Sequence, residues 1–309
     1  MKTKSALLVI IVVLIALPLL SLTGCGVAVP TGTGKKSIVV TYSILGSLVK
    51  ELVGDKTNVT VSIPNGLDPH EWEPSAKDIE KINKADLVVE NGLGLEGGME
   101  KTLDAARNNN VKFFTASDHI IVRHVGQGEG IPSGDPDQAI GAVDPHIWMD
   151  PLTMKDVINT LAVTLKNDLG LDVSAQASDI ENRLDSLEQE IVDIVASIPQ
   201  NDRKLVTGHE SMGYFAQRYG FKLVGVIVPG LSSQAGVSAA DLSELKTMIQ
   251  ENQVKAIFTE LGTSPAVAKA IGDETGVKVV ELTTHALPDD GSYFTFMRNL
   301  ANVIAVGVK

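Results

Sequence analysis

The apolar positions of the chain switch repeatedly between short continuous or alternating runs and a spacing of three to four residues, a pattern that predicts strands alternating with helices. Residues 37–42 (SIVVTY) form a β-branched run, and helical spacing follows through Ile44, Leu48, Val49 and Leu52. The run 59–63 is the next expected strand. Residues 73–84 read as a helix, with Pro74 near its start and Ser75 placed three residues before Asp78, as in a capping box. Strands at 87–90 and 111–115 extend the alternation. Residues 116–143 are glycine-rich and aperiodic and are expected to form a long surface loop, with a helix after it at 150–169. In 174–198, Ile180, Leu184, Leu187, Ile191, Ile194 and Ile198 recur every three or four residues between charged positions. One helix of that extent would be about 37 Å long, enough to bridge two lobes or to pack along one. Strands at 204–207, 222–228, 255–259 and 277–282 then alternate with helices near 212–219, 239–251, 264–275 and 293–306. Ser75-Ala76-Lys77-Asp78-Ile79 is echoed by Ser238-Ala239-Ala240-Asp241-Leu242, a faint sign of two similar halves. The reading is an α/β fold with mostly parallel sheets in two halves.

Composition narrows the chemistry. The chain has 309 residues, 26 basic against 38 acidic, and a formal net charge of −12. That length suits two domains, and the acid excess argues against nucleic acid as a partner, whose phosphates require a basic surface. A single cysteine excludes both a disulfide framework and a cysteine-rich zinc module.

That cysteine has a position of its own. A basic start (Met1-Lys2-Thr3-Lys4) is followed by an apolar stretch over 6–20, shorter than the roughly 20 residues that span a bilayer as a helix. Leu22-Thr23-Gly24-Cys25 follows and resembles the lipobox of bacterial lipoproteins. Residues 1–24 are thus expected to be a cleaved signal peptide, Cys25 the lipidated residue, and 25–36 a flexible tether rich in Gly, Thr and Pro. The folded part would sit outside the cytoplasm, held to the membrane by its lipid.

The six histidines carry the functional signal. Asp68-Pro69-His70-Glu71-Trp72 and Asp144-Pro145-His146-Ile147-Trp148 share a D-P-H-x-W pattern and contain both tryptophans of the chain. Proline fixes its own φ and restricts the residue before it, so each Asp-Pro pair implies a rigid turn. A bulky ring two residues later could pack against the imidazole and hold its direction, as a metal ligand requires. His70, His209 and His285 each follow an expected strand, where parallel α/β sheets place their ligands, and His146 follows the long loop. Two histidines come from each half, which points to a site between lobes.

With these motifs, Glu73-Pro74-Ser75, the segment Gly208-His209-Glu210-Ser211-Met212-Gly213-Tyr214-Phe215-Ala216 and Gly291-Ser292-Tyr293, the chain resembles the zinc- and manganese-binding solute-binding lipoproteins that feed metal to ABC transporters. The resemblance spans nearly the whole of the chain after Cys25. It implies two (βα) lobes, 37–173 and 199–309, joined by one long rigid helix over 174–198. It implies a single divalent metal between the lobes, an ABC permease as partner, and a monomer. The ligands it implies are His70, His146, His209 and a residue before the last helix. Aspartate is usual at that last place, whereas here it is His285. His285 is the expected fourth ligand, with Asp289 or Asp290 reaching in as the alternative.

Four neutral imidazoles suit Zn²⁺ in a tetrahedral shell, while carboxylate oxygens would favour Mn²⁺, the alternative cargo. Asp68, Asp144, Glu210 and Glu260 are candidates to hold ring N–H groups. Binding should weaken below about pH 6 as imidazoles take up protons. His119 and His124, in the glycine-rich stretch, are candidates for an auxiliary metal-collecting loop. A metallohydrolase would keep an open water position beside His70, His146 and His209, with Glu210 or Glu260 as base, but the chain has no H-E-x-x-H or G-x-S-x-G motif. The reading is therefore of a carrier, not an enzyme. Cell adhesion could be a secondary role of a surface-anchored protein, but it would leave four placed histidines unexplained.

Overall fold

The computed structural model describes residues 34–127, 129 and 140–309. The expected signal peptide, Cys25 and most of the tether lie outside the described residues. No helix among the described residues is long and apolar enough to cross a membrane.

The first lobe is built on β1 (Ser37–Tyr42), β2 (Asn58–Ile63), β3 (Leu87–Glu90) and β4 (Phe113–Thr115), in the order β2-β1-β3-β4 with all neighbours parallel. β1 and β3 are almost wholly buried, which explains their continuous apolar runs: helices cover both faces of a parallel sheet. The helices are α1 (Ser43–Val53), α2 (Ala76–Asn83) and α3 (Glu100–Asn108). The capping box forms as expected, but α2 begins at Ala76 rather than at 73. Ser75 is extended (φ −73°, ψ 164°) and accepts from the Asp78 N–H, which places it before the helix. β4 likewise starts two residues later than 111. The Val111 N–H bonds back to Ala106 O, and Asn110 adopts φ 62°, so those residues close α3. α3 itself has a weak apolar face, with only Leu103 and Ala106 buried, and its sequence had not announced it.

Residues 128 and 130–139 of the expected surface loop 116–143 lie outside the described residues, and the described part is not simply a loop. Ala116–His119 forms a 3₁₀ turn, His124 bridges Val143 in antiparallel fashion, and Arg123 is buried between them in sequence. A carboxylate pair draws that arginine inward: it donates to Asp144 and Glu129.

Helix α4 (Pro151–Leu169) is capped by Asp150, whose side chain accepts from the Leu152 N–H, and ends at Gly170 in the left-handed conformation (φ 69°). Helix α5 (Ser174–Ala196) follows and is about 34 Å long. Its buried stripe (Ala177, Ile180, Leu184, Leu187, Ile191, Val195) packs against α4, α1 and the last helix of the chain. The N-terminal end of α5 lies by the first lobe, where Lys56 Nζ reaches Asp172 O. Its C-terminal end lies by the second, where Arg203 donates to Val195 O.

The second lobe contains β5 (Lys204–Thr207), α6 (Gly213–Tyr219), β6 (Lys222–Val226), α7 (Ala239–Glu251), β7 (Ala256–Thr259), α8 (Pro265–Thr275), β8 (Lys278–Glu281) and α9 (Tyr293–Gly307). β5 pairs with β6 and β7 with β8, both parallel, and β5 lies beside β7. Val206, Val224, Ile227, Leu245, Ile249, Ile257 and Ile271 form a core of their own here. The end of α9 packs on β7 and β8, where Gly307 lies against Phe258 and Val280, and its Phe296, Met297, Leu300 and Ile304 join a larger core shared with the first lobe and α5.

Candidate metal centre

The two D-P-H motifs fold into the same local structure. In each, the aspartate Oδ1 accepts the backbone N–H of the histidine two residues on, at 2.9 Å for Asp68–His70 and 3.0 Å for Asp144–His146. That is an Asx-type turn, and it aims the imidazole away from its own strand. His209 follows β5 directly, with its carbonyl accepting from Thr207 Oγ1 at 2.7 Å. His285 follows β8, in a loop that crosses back toward the first lobe.

These four imidazoles converge. One ring nitrogen from each of His70, His146, His209 and His285 lies within 4.8 Å of all the others. His146 Nε2 is 3.3 Å from His70 Nε2 and 3.2 Å from His209 Nε2. Four nitrogens at zinc–nitrogen distances around one ion define tetrahedron edges of roughly 3.3–3.4 Å, so the closest pairs already have that spacing. All four residues are buried.

The rings are oriented from behind. Asp144 Oδ1 accepts from His146 Nδ1 at 2.9 Å, and Asp144 in turn takes a hydrogen bond from Arg123 at 3.1 Å. Thr284 Oγ1 donates to Glu260 Oε2 at 2.6 Å and accepts from His285 Nδ1 at 2.8 Å. In both cases the proton sits on Nδ1 and the Nε2 lone pair faces the cluster. His285 Nε2 is buried without a hydrogen-bond partner. Glu260 further accepts from the Gly208 N–H, the His209 N–H and Ser211 Oγ, and its Oε2 lies 3.4 Å from His209 Nδ1. Asp68 holds the His70 turn and accepts from Ser233 Oγ of the second lobe at 2.6 Å.

Burial governs the protonation of the site. Loss of hydration, then the charge of His209, lowers His70 to about 4. Burial alone lowers His209 to about 4, and burial holds His146 and His285 well below the ordinary imidazole range. The carboxyls behind them move the other way, because burial disfavours their charged form. Asp144 rises to about 6 despite Arg123, and Glu260 rises to about 7 despite its hydroxyl and amide donors.

Other residues expected near the site are placed differently. Glu210 is buried beside Asp144 and Glu129, raised to about 7 by loss of hydration, and its Oε1 has no hydrogen-bond partner. Asp289 and Asp290 are exposed and outside the cluster, and Asp290 accepts from the Ser292 N–H and Thr295 Oγ1 at the start of α9. His119 is exposed and stacks on Phe114, and His124 is exposed; neither joins a metal-sized group among the described residues. The two tryptophans part ways. Trp148 meets both His146 and His285 edge-on, with ring centres 5.3 and 5.4 Å away, and donates its indole N–H to Thr284 O at 2.9 Å. Trp72 makes no ring contact with His70 among the described residues and packs on the lobe's core instead. Arg123 and Thr284 escape a reading of the sequence: one lies in a glycine-rich stretch, the other is one of many threonines.

Gly213 shows how tightly the support is built. A Cβ there would strike Asp144 Oδ2 and the Arg123 guanidinium, so only glycine lets α6 approach this pair.

Residues 38–307 match the family model described as zinc-uptake complex component A, periplasmic. The manganese-binding lipoprotein MntA of Halalkalibacterium halodurans is 28% identical over 302 residues, covering 93% of this chain and 94% of that protein. The high-affinity zinc uptake system protein ZnuA of Bacillus subtilis is 30% identical over 252 residues, covering 81% of this chain and 78% of that one. Among solved structures, the periplasmic zinc-binding protein TroA from Treponema pallidum is similar with a TM-score of 0.76 at 26% identity, over 89% of this chain and 99% of that chain. The chain therefore belongs to the family of component A of zinc-uptake complexes, and it is a metal-binding solute-binding protein of an ABC transporter rather than an enzyme.

Proposed function

We propose that the protein captures a zinc ion with His70, His146, His209 and His285 and delivers it, outside the cytoplasmic membrane, to an ABC permease. The observation that carries the choice of metal is the donor set: four buried ring nitrogens, with Nδ1–H groups tied back to Asp144 and Thr284. Neutral nitrogen donors in a small closed group favour Zn²⁺ over the harder Mn²⁺. A relative named for manganese keeps that ion as the second reading. Four protein donors also close the shell, which serves carriage and leaves no position for a reactive water.

In this reading Cys25 bears the lipid that holds the protein at the membrane, in keeping with the lipoprotein named among its relatives. It acts as a monomer of two lobes, 37–173 and 199–309, with α5 as the strut between them. The test is metal analysis of protein purified without chelator, followed by competition between Zn²⁺ and Mn²⁺ for the parent and for His285→Ala. Zinc should co-purify and outcompete manganese, and His285→Ala should bind it more weakly. Zinc affinity unchanged in both His285→Ala and His146→Ala would overturn the assignment.

A further inference from the structure

The loop that carries His285 is fastened at three points to side chains of the opposite lobe, the first being the Trp148 indole N–H on Thr284 O. Asn65 lies in the loop after β2, five residues before His70. Its amide makes both hydrogen bonds a neighbouring strand would make to Leu287: Nδ2 donates to Leu287 O at 2.9 Å, and Oδ1 accepts from the Leu287 N–H at 2.7 Å. The same Oδ1 accepts from Ser43 Oγ at 3.1 Å, which sets the amide's direction. Further along, Ser47 Oγ donates to Gly291 O at 2.7 Å and accepts from the Tyr293 N–H at 3.3 Å. On the side of its own lobe the loop is tied by the Leu282 N–H to Thr259 O at 2.7 Å and by the Thr284 hydroxyl to Glu260. The arm bearing His285 is thus a shared element, held down by the first lobe.

We infer that Asn65 is a positioning residue for metal retention: its two-point clamp on Leu287 keeps His285 in the cluster and so slows release of the ion. Asn65 is exposed, and it touches neither the metal nor any of the four imidazoles. Removing its side chain leaves the donor set and the core intact. An arm released at Leu287 is left with the ties at Thr284 and Ser47, so His285 withdraws more readily while the other three imidazoles remain. The clamp acts on the assembled site, so the association rate is expected to stay the same. The inference rests on the reading of His285 as a ligand.

The experiment measures zinc release by stopped-flow transfer to a fluorescent chelator, for the parent, Asn65→Ala, His285→Ala and the double variant. Loss of two solvent-facing hydrogen bonds should speed release roughly three- to thirtyfold in Asn65→Ala, with the association rate unchanged. In the His285→Ala background the same substitution should add nothing, because the residue acts through the imidazole that is gone. Release from Asn65→Ala at the parent rate, or an equal acceleration in both backgrounds, overturns the clamp while leaving the site standing. Release from His285→Ala at the parent rate removes the fourth ligand and the clamp with it. Amide exchange at Leu287 in the zinc-loaded protein gives an independent readout: it should rise in Asn65→Ala, and protection equal to the parent's would count against the clamp.

Discussion

One carboxylate oxygen, Asp144 Oδ1, takes both the backbone N–H of His146 at 3.0 Å and its ring Nδ1–H at 2.9 Å. The residue that shapes the turn therefore also sets the tautomer and direction of the imidazole. Asp144→Ala should lower zinc affinity by about 10- to 100-fold, the usual cost of losing such a partner. It should do so without removing any metal-binding nitrogen. A competition titration against a chelator of known strength measures this, and an unchanged affinity would deny Asp144 its orienting role.

His285 gives the cluster a fourth neutral nitrogen. Substituting His285→Asp replaces a neutral nitrogen with an anionic oxygen, which harder cations prefer. The ratio of zinc to manganese affinity should fall relative to the parent. Paired titrations with the two ions decide it, and a constant ratio would mean that selection lies elsewhere.

The pH dependence of binding is expected to come from carboxyls more than from imidazoles. The sequence alone suggested imidazole protonation below about pH 6, but burial holds His70 and His209 at about 4. The buried groups around the cluster that take up protons between about 7 and 6 are Glu260, Glu210 and Asp144. A cation favours their ionised forms, so zinc must displace these protons, and affinity should decline as pH falls from 7.5 to 5.5. Calorimetry in buffers of different ionisation enthalpy should detect the released proton, and Glu260→Gln should diminish it. For the metal-free protein the two kinds of group oppose each other. Lowered imidazole values cost stability as pH falls from the unfolded value near 6.5 toward 4, since the unfolded chain then binds more protons. Raised carboxyl values add stability over much of the same range. Its stability should therefore change less between pH 7 and 5 than its zinc affinity does, as denaturant titrations at those pH values would show.

Gly213→Ala should be damaging despite its small size. The added carbon would collide with Asp144 and Arg123, an overpacking whose typical cost is about 1–3 kcal/mol. Urea unfolding should report that loss, and zinc affinity should fall with it, because the displaced Asp144 orients His146. A variant with parent-like stability and affinity would show that α6 can shift without consequence.

The alternation of strands and helices was legible because it rests on local periodicity, and so were the capped starts at Ser75 and Ser238, where a hydroxyl three residues ahead of a carboxylate forms a capping box. The D-P-H repeats announced their own turns. What escaped was whatever depends on distant partners. Arg123 reads as one more polar loop residue until Asp144, Glu129 and Tyr214 surround it. α3 has too few buried apolar residues to declare itself, and no local rule says that Asn65 should grip Leu287. The resemblance between the two D-P-H-x-W motifs also overreached: the identical tryptophans face different neighbours, since only the second motif lies where another lobe's loop can meet its indole.

That second indole has a further consequence. Trp148 is fully buried and touches two of the imidazoles, one on each side of the interlobe divide. When excitation is confined to the tryptophan band, the half-buried Trp72 is the only other emitter in the chain. The molecule thus carries a native optical probe at its centre, so that loading and unloading can be followed by intrinsic fluorescence, without a dye and on the unaltered chain.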